Sequence, residues 1–254
     1  CDTAGIRVIE DAVHSLGATW NGHPIGTLGR AGCFSFQSYK LVNAGEGGIL
    51  VTDDAELVAR AIILSGAYEH NWRKHLGPAD HALEAALSRW QNRLPLYNLR
   101  LSNLSAAIIR AQLPEIPRRV RDGLRNHDRV AARLSAAPAI TVPAPLRGER
   151  RAPDSLQFTL EGLSADEIDS FVAAAAEQGV SIQVFGRSAD NARAFWNWKF
   201  LDAVPDLPMT RDMLMRTCDT RLPARLTEAE CDAVADAILT ALAEARPPVR
   251  SYGT

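Results

Sequence analysis

Three short apolar runs, separated by glycine-rich or polar connections, lie within the first 52 residues, and this pattern restricts the fold more than any other feature of the chain. Residues 6–10 (I-R-V-I-E) follow a glycine and have the make-up of a buried parallel strand. Residues 17–32 contain Gly17, Gly22, Pro24, Gly26, Gly29 and Gly32, which suits a loop with a short hairpin and rules against a helix. Residues 33–36 (C-F-S-F) and 48–52 (G-I-L-V-T) read as further strands. Asp53 or Asp54 can then cap a helix in which Leu57, Val58, Ala61 and Ile62 recur at helical spacing. Strands mixed with helices in this way describe one part of an open α/β sheet.

Residues 66–98 are polar and aromatic without a clear period. From Ser102 a helix is expected, with Leu104, Ile108, Ala111 and Leu113 as its apolar stripe, interrupted by Pro114 and Pro117. Residues 138–149 shift to proline, alanine and arginine, which marks a boundary between domains spanning 1–137 and 138–254. Beyond it, residues 156–160 alternate like a half-buried strand, and Ser164 caps a helix that ends near Gly179. Residues 180–185 form another strand. A last helix starts after Thr227, with Glu230 as its capping-box partner, and runs to about Ala245. The expected fold class is α/β: part of a large mixed sheet domain, followed by a small C-terminal α/β domain.

Composition narrows the partners. The 254 residues carry a net charge of -2, so no basic footprint argues for nucleic acid. Arg118, Arg119, Arg121 and Arg125 read as a solvated helix face, because no aromatic residues interleave them. No apolar stretch approaches the roughly 20 residues needed to span a bilayer. Cys1, Cys33, Cys218 and Cys231 lack C-x-x-C or ligand-like spacing, which suggests buried thiols in a reducing, cytoplasmic setting. The opening residues C-D-T-A-G-I-R-V-I read as a helix tail running into a strand, not a secretory leader, so the chain is expected to be a fragment lacking its N-terminal part.

Asp11 ends the first strand, where open α/β sheets place functional groups. Ser35 lies five residues before Lys40, and Gly45 to Gly48 form a G-E-G-G turn. Pyridoxal-phosphate chemistry needs these residue types. An amine must form an imine with the cofactor aldehyde and then move a proton. A carboxylate must keep the pyridine nitrogen protonated, a hydroxyl can bind the phosphate, and glycines let the backbone come close. Singly, each residue has an ordinary reading: Asp11 as a turn residue, Lys40 as solvated surface, His14 as a structural histidine, the glycines as a turn. The ordered combination is what carries specificity.

The segments V-I-E-D-A-V-H-S-L-G-A, G-x-x-G-x-x-G-x-x-x-F-S-F and Lys40 followed by G-E-G-G resemble the DegT/StrS-type sugar aminotransferases, which are fold-type I pyridoxal-phosphate enzymes. N-L-R-L-S-N-L with Ala106 and Ala107, ahead of Gln112, extends the resemblance, which covers residues 1 to about 130 well and the rest loosely. It implies Lys40 as the Schiff-base lysine, Asp11 as partner of the pyridinium nitrogen, Ser35 as a phosphate ligand and His14 near the cofactor's 3′-oxygen. It also implies that Asn98 reaches the cofactor phosphate of a neighbouring subunit, so that a homodimer shares its active sites. The resemblance implies that the family's phosphate loop and ring-stacking aromatic belong to an N-terminal half expected to lie outside these 254 residues. Residues 68–97 form an insertion in which Tyr68, Trp72, Trp90, Tyr97, His70 and His75 are expected to pack a long loop.

Some relatives carry His in place of the lysine and deoxygenate or dehydrate sugars; Lys40, and the lack of a cysteine cluster for an iron–sulfur centre, favour transamination. The expected activity is amino transfer from glutamate or glutamine to a keto-sugar or keto-cyclitol. The rival is a truncated, non-catalytic relative acting as a regulatory or interaction subunit.

Overall fold

The computed structural model describes residues 1–67, 71–75, 77 and 80–246. By internal contacts the chain divides into two units, one formed by Cys1–Pro117 with Arg147–Arg151, the other by Arg118–Leu146 with the chain from Ala152 onward.

The first unit runs through β1 (Ile9–Asp11), the hairpin β2 (Thr19–Trp20) and β3 (His23–Pro24), β4 (Ala31–Ser35), β5 (Gly48–Val51), α1 (Ala55–Leu64), α2 (Trp72–His75), α3 (His81–Trp90) and α4 (Asn103–Gln112). β1 pairs parallel with β4, and β4 antiparallel with β5, giving a mixed sheet of order β1-β4-β5. Asp54, not Asp53, caps α1, accepting from the amides of Glu56 and Leu57. The helix forms where the spacing of Leu57, Val58, Ala61 and Ile62 predicts one; it buries Ala59 and Ile63, with Ile62 packed beside them, against Leu87 and Ala86 of α3. Trp72 and Trp90 belong to the same cluster, but they stand on the helices α2 and α3 where a long loop was expected, and Tyr97 is exposed. Tyr68, His70 and the His75 side chain lie outside the described residues.

Other expectations for this unit fail. Residues 6–10 have the make-up of a buried strand, but only Ile9–Asp11 form β1, at the sheet edge, and Ile6, Val8 and Ile9 are exposed because β1 has a strand neighbour on one side alone among the described residues. In α4 Leu104 is 73% exposed, and Ile108 and Leu113 are exposed as well; it is Ile109 that turns inward, onto Phe36 and Val42. Pro114 interrupts the helix as a single tight turn at Leu113–Glu115, and Pro117 then sits in the first turn of α5 (Ile116–Leu134), where a missing amide costs nothing.

The second unit contains most of α5, then β6 (Ile140–Thr141). β7 (Glu149–Arg150) returns to pair with β2 of the first unit. The chain continues in the second unit with β8 (Ser155–Leu160), α6 (Ala165–Glu177), β9 (Ile182–Val184), α7 (Pro208–Arg216), β10 (Thr217–Arg221) and α8 (Glu228–Ala245). The contact boundary falls within the first turn of α5, after Pro117, whereas the sequence boundary at 137/138 falls just beyond the helix. The sheet order is β6-β8-β10-β9, antiparallel throughout. β10 occupies its centre although no strand is expected there. Its sequence T-C-D-T-R is polar, yet Cys218 and Thr220 are buried, the latter through a hydrogen bond from Oγ1 to the Ser181 carbonyl. Capping boxes at Ser164/Glu167 and Thr227/Glu230 start α6 and α8 as expected.

Candidate active site

The register of the first sheet sorts its side chains. Asp11 pairs with Cys33 and Glu10 with Gly32. Paired residues share a face and successive residues alternate. Asp11, Cys33 and Ser35 therefore lie on one face, and Glu10, Gly32 and Phe34 on the other. β1 and β4 are parallel, so Asp11 and Ser35, the last residues of their strands, sit at the same sheet end. Open α/β sheets use this end for ligands.

Lys40 is brought to that end by the loop between β4 and β5. Phe36 N–H donates to the Gly47 carbonyl and Ala44 N–H to the Phe36 carbonyl, closing the loop at its base. Val42 and Phe36 bury their side chains beneath it with Ile109. Ser38 Oγ donates to the Gly45 carbonyl at 3.1 Å. From α4, Gln112 Nε2 donates to the Asn43 carbonyl at 2.6 Å, while its Oε1 accepts from Asn43 N–H at 3.4 Å. The half-buried Lys40 is thus carried by a loop tied on two sides. Its Nζ lies 2.8 Å from His14 Nε2 and 3.2 Å from His14 Nδ1.

Asp11 Oδ1 accepts from Val13 N–H at 3.3 Å, which orients the turn carrying His14. Ser35 Oγ accepts from Gln37 N–H at 3.2 Å, leaving its hydroxyl proton to donate elsewhere. The structure thus brings Lys40 and His14 into direct contact and sets Asp11 and Ser35 on one face at one sheet end. Asn98 is exposed, on a segment held to the end of α1 by Tyr97 N–H to the Leu64 carbonyl and Leu99 N–H to the Ser65 carbonyl.

Two residues that sequence reasoning passed over support this arrangement. Gln112 holds the lysine loop as described. Glu10 accepts three backbone amides from the glycine-rich loop: Gly26 at 2.7 Å on Oε2, Leu28 at 2.7 Å and Gly29 at 2.6 Å on Oε1. Partial burial opposes its ionisation, but the bonds from Gly29, Gly26 and Leu28 outweigh that and hold its carboxyl below the usual range. The signal available in the sequence was the period-2 alternation, which puts a charged residue on the face opposite Asp11. Among the described residues no group of three or more His, Cys, Asp or Glu could hold a metal ion.

An amine in contact with an imidazole, and a carboxylate and a hydroxyl on one face, all follow or end the strands at one end of a mixed α/β sheet, and the fold is that of the fold-type I pyridoxal-phosphate transferases. Solved structures agree. The PLP form of a putative sugar aminotransferase from Streptococcus pneumoniae superposes with a TM-score of 0.76 at 19% identity, covering 94% of this chain and 58% of that one. An aminotransferase from Streptoalloteichus hindustanus gives 0.75 at 21% identity over 96% of this chain and 60% of its own. At these identities the likeness is one of fold. The family follows from sequence: the model of the DegT/DnrJ/EryC1/StrS aminotransferase family matches residues 1–239, and the chain belongs to that family. Curated relatives include 3-amino-5-hydroxybenzoate synthase of Amycolatopsis mediterranei (strain S699), 29% identical over 76% of this chain and 47% of the relative. L-glutamine:scyllo-inosose aminotransferase of Streptomyces griseus is 35% identical over 60% of this chain and 37% of the relative. The chain spans less than half the length of these two.

Proposed function

We propose that this chain carries the lysine-bearing part of a pyridoxal-phosphate-dependent aminotransferase that moves an amino group from glutamate or glutamine to the ketone of a sugar or cyclitol. The observation that supports it is the contact between Lys40 Nζ and His14, 2.8 Å, beside the sheet end where Asp11 and Ser35 share a face. These groups fit the cofactor: amine for its aldehyde, carboxylate for its ring nitrogen, hydroxyl for its phosphate. When bound, pyridoxal phosphate supplies an electron sink for the carbon that loses a proton. Asp11 would hold a proton on the ring nitrogen, and Ser35 Oγ would donate to a phosphate oxygen. Lys40 would attach the cofactor and afterwards, freed, carry the proton between neighbouring carbons. His14 would orient the Lys40 amine and lie near the 3′-oxygen. The acceptor class rests on the names of the relatives.

A shared site in a homodimer is part of this reading. Leu104 and Ile108, one turn apart on α4, are exposed apolar residues, as is Leu99 next to Asn98, and they offer a ridge that a second copy could cover while Asn98 reaches its cofactor phosphate. Four free thiols, two of them buried, favour the cytoplasm.

The test is borohydride reduction after incubation with pyridoxal phosphate, followed by peptide mapping. The label is expected on Lys40. Lys40→Ala should lose both the label and the lysine-bound absorbance, and conversion of glutamate or glutamine should fall by about 10²–10⁴-fold or more. Persistent absorbance in Lys40→Ala would end the assignment; cofactor uptake with no reaction toward any amino donor would favour a non-catalytic relative.

A further inference from the structure

The glycine-rich loop at residues 24–29 lies against the sheet face turned away from the candidate site. A Cβ on Gly32 would stand 2.3 Å from the Gly26 carbonyl oxygen, and one on Gly26 would stand 2.4 Å from the Phe34 ring. Loop and sheet are therefore in backbone contact on that face. Glu10 is the charged group there: one carboxylate closes on the amides of Gly26, Leu28 and Gly29, with both oxygens used. The bond from Arg30 N–H to the Val8 carbonyl, 2.8 Å, continues the seam. β1 is a sheet edge of only three residues, with Ile9 71% exposed, so its ladder to β4 gives it little rigidity by itself.

We infer that Glu10 is a positioning residue for Asp11: by clamping β1 to the loop on one face, it sets the height and rotation at which the Asp11 carboxylate stands on the other. The physical link is the strand itself. Glu10 and Asp11 are consecutive in extended backbone, so a roll of β1 that loosens one side chain swings its neighbour in the opposite sense. A carboxylate suits the clamp because it only accepts, and all three partners are N–H donors. Gln cannot replace it. Its oxygen can keep two of the amides, but its NH₂ must then face the N–H of the third. The role in turnover rests on the functional reading above, since it acts through the ring-nitrogen partner.

The experiment has two arms, both on the full chain. Amide exchange followed by NMR without cofactor is expected to show Gly26, Leu28 and Gly29 protected in the unmodified protein. In Glu10→Gln protection should be lost at one side of the clamp, and in Glu10→Ala at all three. With pyridoxal phosphate bound, Glu10→Gln is expected to shift the pH at which the cofactor absorbance changes. It should also lower kcat about 10- to 100-fold with the donor KM little changed, because a displaced group near the reacting atoms is costly. Glu10→Asp, which keeps the charge on a shorter arm, should recover part of both. Unchanged amide protection in Glu10→Ala would overturn the clamp. Lost protection with an unchanged absorbance profile and kcat per bound cofactor would overturn the positioning role, leaving Glu10 as a loop anchor alone. An unmodified protein that takes up cofactor without labelling Lys40 would overturn the functional reading, and the positioning role with it.

Discussion

The mixed sheet β1-β4-β5 of the first unit and the antiparallel sheet of the second are built from strands of similar length and have opposite fates. In the second unit Leu156, Phe158 and Leu160 of β8, Ile182 and Val184 of β9 and Cys218 of β10 are all buried, packed with Ile168 and Phe171 of α6 and with Ala235 and Ile238 of α8. In the first unit Ile9 is 71% exposed, and Ile49, Leu50 and Val51, three successive residues of β5, are exposed too. The apolar content of the strands does not explain the contrast. The second sheet has two long amphipathic helices of its own laid across it, and the first buries its apolar groups in smaller clusters around Val42 and Leu87. The unit that completes its own core carries none of the proposed cofactor groups. The unit with bare strands carries Asp11, His14, Ser35 and Lys40.

Paired substitutions can break this comparison. Phe158, fully buried and edge-to-face with Phe171 at 6.3 Å between centroids, should cost about 3–5 kcal/mol when changed to Ala. Ile49→Thr, on the exposed strand, should stay within about 0.5 kcal/mol. Denaturant titration measures both. An Ile49 change as costly as Phe158→Ala would mean that this face is covered in solution.

Self-association sharpens it next. If a second copy covers the α4 ridge, Leu104→Glu should weaken association by about 2 kcal/mol while leaving the unfolding of the isolated chain almost untouched. Sedimentation at graded concentrations reads this directly, and equal association constants for the two proteins would remove the ridge as an interface.

At neutral pH the smallest effect is that of a pH dependence confined to the closed core, which develops only in alkali. Burial pushes the Cys218 thiol up to about 12, with the nearby Asp219 charge adding to the shift. The unfolded thiol ionises near 9 and the folded one does not, so the folded state holds more protons between those values and stability falls as pH rises through them. The slope is at most about 1.4 kcal/mol per pH unit. Cys218→Ala should flatten the curve in that window, whatever it does to stability at neutral pH; an unchanged slope would mean the thiol is not the group responsible.

Much of this could be read from residues. The capping boxes at Ser164 and Thr227 are local: donor and acceptor sit three residues apart, so the sequence alone contains both partners. The order Asp11, His14, Ser35, Lys40, G-E-G-G was legible because strand ends and glycine turns are short-range features. β10 was not, since T-C-D-T-R becomes a central strand only between β8 and β9, more than thirty residues upstream. The α4 stripe was misread because helical periodicity shows that apolar residues share a side without saying what that side meets. Here the loop around Val42 draws in Ile109 and leaves Leu104 outside.

By itself, then, the sequence determined the starts of α4, α6 and α8, the strand-end placement of Asp11, and a lysine in a glycine-flanked loop, because each depends on neighbours within a few residues. Only the tertiary structure decided that Lys40 Nζ meets His14, 26 positions away, that Gln112 holds the lysine loop from a helix 69 positions on from Asn43, and that Glu10 clamps the loop behind Asp11. Those bonds join side chains to groups far along the chain, and their existence depends on register and packing that no local pattern encodes.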